Sequence, residues 1–180
     1  FLGALKNTVV FVLVAVVLNI CISTFLAVLI KSLRKKGARS FFRGWMFLPA
    51  VVPIVAVCYV WLIMFDPANG VLNQALMALG MDHPINWLND PRTALFSIVL
   101  VTLWCDLGYN LVILMSGLDN IPNMFLEAAE IDGANGLKRF FHITLPMLSP
   151  TMFMVTILAL ISSFQVFDLI SIMTEGGPGR

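Results

Sequence analysis

The sequence predicts an all-α fold, a polytopic membrane helical bundle with four spans, and three observations predict it. Of 180 residues, 59% are hydrophobic and 12% charged, where soluble domains run at about 45–50% apolar and about 25% charged. The apolar residues gather in long runs broken by polar stretches rich in turn formers. Lys and Arg then concentrate in alternate polar stretches, as the positive-inside rule requires of cytoplasmic loops. Mean hydropathy is +0.94, so too little polar surface exists for a water-facing globule. A net charge of +1 argues neither for nucleic acid nor for a polyanionic surface as partner.

The first apolar run, about residues 8–30, is long enough to cross a hydrocarbon core of about 30 Å at about 1.5 Å per residue. Lys31, Arg34, Lys35, Lys36, Arg39 and Arg43 follow it. Such a cluster in isolation would suit DNA or heparin; beside a span it marks the cytoplasmic side. The second span is expected at about 45–65, with Trp45 and Trp61 as interfacial aromatics and Pro49 and Pro53 loosening its first turns. Those prolines read either as a kink or as a gating hinge. Asp66 to Arg92 is an external loop, carrying Asp66-Pro67, Asn69-Gly70 and Asn89-Asp90-Pro91 as turn signals and a short amphipathic helix through Val71, Leu72, Leu76 and Leu79. The third span is expected at about 93–115 and the fourth at about 148–172. The chain begins at Phe1 without a basic leader and ends in a Gly-rich stretch, which reads as a piece of a longer chain with further spans on both sides. One domain, residues 1–180, is the expectation.

Between the third and fourth spans lies a patterned polar island, residues 119–146. Pro122 suits a first helical turn. Met124, Phe125, Ala128 and Ile131 repeat at helical spacing as one apolar face, with Glu127 and Glu130 on another. Gly133 is placed to end the helix in a left-handed turn. Asn135 can cap a second helix bearing Lys138, Arg139 and His142, expected to finish near Pro146. The result is a helix–turn–helix with an acidic first arm and a basic second arm.

Glu127-Ala128-Ala129, then Asp132-Gly133, then Ile143-Thr144-Leu145-Pro146 resembles the cytoplasmic loop of the membrane subunits of binding-protein-dependent ABC importers. Phe42-Arg43, Phe47-Leu48-Pro49, Trp61, Gly117-Leu118, Ile121-Pro122, Phe164-Gln165-x-Phe167-Asp168 and Thr174-Glu175-Gly176-Gly177-Pro178 resemble the carbohydrate branch of that family. The resemblance implies a type I importer permease fold in a bacterial inner membrane. It implies that Glu127, Ala128, Ala129, Asp132, Gly133, Ile143, Leu145 and Pro146 form a coupling loop docked on an ATPase. It also implies the partners: an ATP-binding subunit dimer, a second permease subunit, identical or homologous, and an extracytoplasmic solute-binding protein delivering a sugar. No cofactor is expected in this chain, since ATP would sit in the partner subunit.

Bond chemistry finds little footing. A Gly-x4-Gly-Lys phosphate loop is absent, as is His-Glu-x-x-His, and the two His residues are far apart. Cys21, Cys58 and Cys105 lie in separate apolar runs without metal-ligand spacing, so they read as small buried hydrophobes. An aspartyl dyad of Asp106 and Asp168 would need one depth in the membrane, and the two sit at different depths of their spans. No catalytic and no metal-binding residue is expected.

Asp106, Asn110, Gln165 and Asp168 are the candidates for the solute pathway. An ionised group at mid-bilayer must face a wet cavity or a partner, and amides and carboxylates match sugar hydroxyls. The other reading of Asp106 and Asn110 is interhelical hydrogen bonding. A permease for amino acids, polyamines or phosphate, and a secondary transporter, are the alternatives in function; the last leaves the patterned loop without a purpose.

Overall fold

The structure, a computed structural model, describes residues 2–33 and 35–177; Arg34 of the basic cluster and the terminal Pro178 and Arg180 lie outside them. The described residues form α1 (Leu2–Ser32), α2 (Lys36–Val51), α3 (Ile54–Met64), α4 (Val71–Ala78), α5 (Ala94–Asp119), α6 (Asn123–Ile131), α7 (Gly136–Arg139), α8 (Leu145–Phe164) and α9 (Phe167–Thr174). Three helical runs are long and apolar enough to cross a membrane, and four if the broken pair α2–α3 counts as one span.

Two of the expected spans are interrupted. Over 45–65 the helix breaks at Val52-Pro53, with Pro53 extended at φ −55°, ψ 133° ahead of α3. Pro53 cannot donate to the helical ladder and disfavours helical backbone at Val52, so the chain cannot run through. Pro49, by contrast, is accommodated inside α2. Over 148–172 the helix is already formed at Gly136 and stops at Phe164, where Gln165 and Val166 turn before α9.

Where the sequence suggests one domain, the contacts gather into two compact units. One comprises Phe1–Ala15, Val51–Cys105 and Ser162–Arg180; the other comprises Val16–Ala50 and Asp106–Ile161. The divisions fall within α1, α2, α5 and α8.

In the first unit α3 packs against α9 and α4. Trp61, expected to anchor at an interface, is buried within its unit, its ring 5.1 Å from Phe65 and edge-on to Trp104 at 5.9 Å. The external loop is organised by Asn73, which is fully buried. Its Nδ2 donates to the Ile85 carbonyl at 2.9 Å, and its Oδ1 accepts from the Ile85 amide at 3.1 Å and from Trp87 Nε1 at 3.0 Å. One amide thereby satisfies three groups that α4 would otherwise bury unpaired.

The second unit has an apolar core from Ala27, Ile30, Leu111, Leu114, Leu118, Leu148 and Val155. At its centre a polar pair joins α1 to α5, with Asn110 Nδ2 donating to Asn19 Oδ1 at 2.7 Å. Ser23 donates to the same oxygen at 3.1 Å. At the far end Lys31 reaches Asp119 at 3.0 Å and also donates to the Leu118 carbonyl. That places a cation on the last carbonyls of α5, where the helix dipole favours it.

Candidate functional site

The two arms of the 119–146 loop are α6 and α7, and each end of the turn between them is capped. Pro122 stands just outside α6 at its N-cap, with extended backbone, rather than within the first turn. At the other end Gly133 has φ +74°. Its amide bonds the Glu130 carbonyl at 3.1 Å, and the Ala134 amide bonds the Ala129 carbonyl at 2.9 Å. Those two bonds are the Schellman closure, which needs a left-handed residue at the position Gly133 holds. Two residues on, the Asn135 side chain accepts from the Lys138 amide at 2.9 Å and starts α7.

Glu130 and Arg139 tie the arms together, Oε2 accepting from Nη1 at 2.8 Å. Opposite charges nine positions apart across a glycine turn are a readable signal for such a tie, though the sequence assigns only an acidic and a basic arm. Asp132 is the C-cap of α6 and is exposed. The second arm does not finish near Pro146. A π-helical stretch, Phe140–Thr144, carries it into α8, with the Leu145 amide bonding the Phe140 carbonyl. The widened turn lets the helix pass a proline that would clash with the carbonyl four residues back in a regular α-helix. Ile143 and Leu145 are half-buried along it, and Pro146 is exposed.

The apolar face read from the sequence is real but covers nothing in this chain. Met124, Phe125, Ala128 and Ile131 are all exposed, Ile131 at 86%. Ala129 is buried and Leu126 half-buried instead, so α6 rests on its own chain by the side opposite the expected one. Glu127 is exposed and makes no ion pair among the described residues. Leu137 on the second arm and Phe141 just beyond it are exposed as well. The loop is a capped hairpin with Glu127 exposed among bare apolar side chains.

The pathway candidates divide between the units. Asp106 and Asn110 lie one turn apart on α5, Asp106 half-buried, Asn110 at 2% exposure and held by Asn19. Gln165, in the turn before α9, and Asp168, in the first turn of α9, are both exposed in the other unit. The Asn110 geometry favours interhelical hydrogen bonding over solute contact. Asn19, missed in the sequence, was visible there as an amide within an apolar run; its partner lies 91 positions away and was not. Asn110→Ala and Asn19→Ala should each destabilise the detergent-solubilised chain by about 1 kcal/mol, seen as a lower melting temperature. The double variant should cost little more than either single one, which a double-mutant thermal series measures.

No group of three or more metal-ligating side chains occurs among the described residues. Residues 19–179 match the family described as binding-protein-dependent transport system inner membrane component. The chain is 38% identical over 182 residues to the lactose transport system permease protein LacF of Rhizobium radiobacter, covering 99% of this chain and 60% of that protein. It is 37% identical to the trehalose/maltose transport system permease protein MalF of Thermococcus litoralis, covering 96% of this chain and 57% of that one. Among solved structures, a bacterial ABC transporter involved in the import of the acidic polysaccharide alginate superposes with a TM-score of 0.88 at 24% identity, over 97% of this chain and 61% of that chain. The chain thus spans about 60% of the length of these relatives. A match over nearly all of its residues, ending beyond the loop that carries the pattern, places the chain in the family of inner membrane components of binding-protein-dependent transport systems.

Proposed function

We propose that the chain is the core of a membrane-spanning subunit of an ATP-driven sugar importer, and that the 119–146 loop couples it to a separate ATPase. The observation that carries this reading is the capped hairpin with its uncovered face: Met124, Phe125 and Ile131 exposed around a free Glu127. A soluble partner with an apolar groove and a basic side chain is its complement. In a membrane subunit such a groove belongs to the ATP-binding dimer, which closes on nucleotide and moves the hairpin. A second permease subunit, identical or homologous, completes the pathway, and a solute-binding protein delivers sugar at the outer face. One alginate transporter structure was solved with its periplasmic protein bound, in line with that arrangement.

The sugar assignment draws on relatives named for lactose, trehalose/maltose and arabinooligosaccharides. A second solute class has a specific observation in its favour: an sn-glycerol-3-phosphate permease, UgpA of Yersinia pestis, is 33% identical over 99% of this chain. The full complex, reconstituted in liposomes with its binding protein, separates the two. Uptake of a neutral sugar and ATP hydrolysis should rise together; uptake without the ATPase present would overturn the importer reading.

Topology follows from the same reading. With a cysteine-free chain in intact cells, an impermeant thiol reagent should label a cysteine placed at Asn69 and leave one at Asn135 unlabelled. Labelling at Asn135 alone would invert the model of the membrane.

A further inference from the structure

Behind the hairpin, on the side of α6 away from its bare apolar face, lies a cavity of about 410 Å³. Its wall combines the last turns of α1 and α5 with the inner sides of both arms. Val28, Leu126 and Phe140 supply apolar lining, and Lys31 and Arg139 bring two cations to it. Both cations hold a carboxylate, but Asp119 and Glu130 are themselves 58% and 74% exposed. Such pairs are weak. They also leave donors over: Arg139 uses Nη1 for Glu130, and a guanidinium has five N–H groups.

We propose that this cavity holds an anionic phospholipid of the membrane leaflet on the loop side, its phosphate between Lys31 and Arg139 and an acyl chain along Val28, Leu126 and Phe140. Charge complementarity selects an anion, and the apolar wall selects one with a hydrocarbon body. Position selects a lipid: Val28 and Lys31 close a membrane-crossing helix at the level where headgroups lie. Because Arg139 also ties the hairpin to Glu130, a bound phosphate would bear on the attitude of the second arm. The inference rests on the proposed placement of the loop at the membrane surface, and not on its docking an ATPase.

The test is lipid retention by the full-length complex in nanodiscs of mixed phosphatidylcholine and phosphatidylglycerol, read by native mass spectrometry after extraction. The wild-type complex should retain phosphatidylglycerol in preference to phosphatidylcholine. Arg139→Gln should reduce the retained phosphatidylglycerol by roughly fivefold. Lys31→Gln risks the α1–α5 contact, so Gly136→Asp is the more decisive variant. A Cβ at Gly136 meets nothing within 4 Å, and a carboxylate suits the start of α7, yet it sets a negative charge in the cavity wall. That variant should lose phosphatidylglycerol while keeping its fold. Equal retention in wild type and Gly136→Asp would overturn the proposal, as would equal thermal protection by inorganic phosphate in phosphatidylcholine-only discs. Glu127→Lys, at a position outside the cavity lining, should weaken ATPase docking and still retain the lipid, so failure of this site and failure of the coupling reading are distinguishable.

Discussion

Gly108→Ala is expected to remove most of the folded protein, whereas Gly117→Ala should weaken it moderately and Gly44→Ala should leave it intact or slightly more stable. The three glycines are all helical, and replacing each with alanine improves intrinsic helix propensity by up to about 1 kcal/mol. What separates them is the space beyond the Cα. A Cβ on Gly108 would stand 1.9 Å from the Met46 carbonyl oxygen and 2.9 Å from the Phe47 Cα. Both are backbone atoms of α2, so relief requires the helices to part. Overpacking against side chains costs about 1–3 kcal/mol, and rigid backbone on both sides places Gly108→Ala above that range. At Gly117 the nearest atoms belong to the Thr151 and Leu148 side chains, at 2.6 Å and 2.9 Å. Those can shift by rotamer, which keeps the cost of that variant within the range. Nothing lies within 4 Å at Gly44. The yield of monodisperse protein and its melting temperature in detergent give the ranking, and a Gly108→Ala chain as stable as Gly117→Ala would contradict the α2–α5 crossing.

That crossing also marks where the sequence stops being informative. Gly108 was visible as a small residue within an apolar run, but small residues serve close approach, flexibility or nothing at all, and only the partner backbone decides. The same holds for Asn110, whose two readings differ in whether Asn19 is opposite it. Local features were open to reading because their causes are local. Gly133 followed by Asn135 encodes a left-handed stop and a cap within three residues, and the bonds form as those side chains dictate. Helical periodicity found the apolar face of α6 but could not say which side the chain itself would use, since two apolar sides share so short a helix. Pro53 and Pro146 are the instructive pair. Both prolines stand where helix lies on either side, yet one breaks its helix and the other is absorbed by a π stretch. The difference comes from the preceding turns, which periodicity does not register.

Gly133→Val should abolish solute-stimulated ATP hydrolysis by the assembled complex while Gly133→Asn keeps most of it. A Cβ at Gly133 meets nothing within 4 Å, so space is not the obstacle; the obstacle is a φ of +74°. Left-handed backbone costs an ordinary L-residue about 1–2 kcal/mol, and a β-branched side chain more, whereas asparagine visits that region readily. The valine chain can relieve the strain by leaving the left-handed region. Doing so breaks the bonds from Gly133 to Glu130 and from Ala134 to Ala129, and turns Arg139 away from Glu130. The exposed Glu130–Arg139 pair, worth at most about 1 kcal/mol, cannot hold the arms against that. Met124, Phe125 and Ile131 would then no longer keep their place relative to the second arm. Glu127→Lys acts differently, because the hairpin keeps its shape and only the charge it offers is reversed. Truncating one member of a desolvated interfacial charge pair costs about 2–5 kcal/mol, and reversal costs no less. Docking should therefore fall steeply, and a compensating charge reversal on the ATPase should recover part of it. The measurement is ATP hydrolysis of the complex in liposomes, with binding protein and solute, alongside membrane insertion of each variant. Full activity in Gly133→Val and Glu127→Lys, with insertion unchanged, would mean that the bare face of the hairpin meets no ATPase.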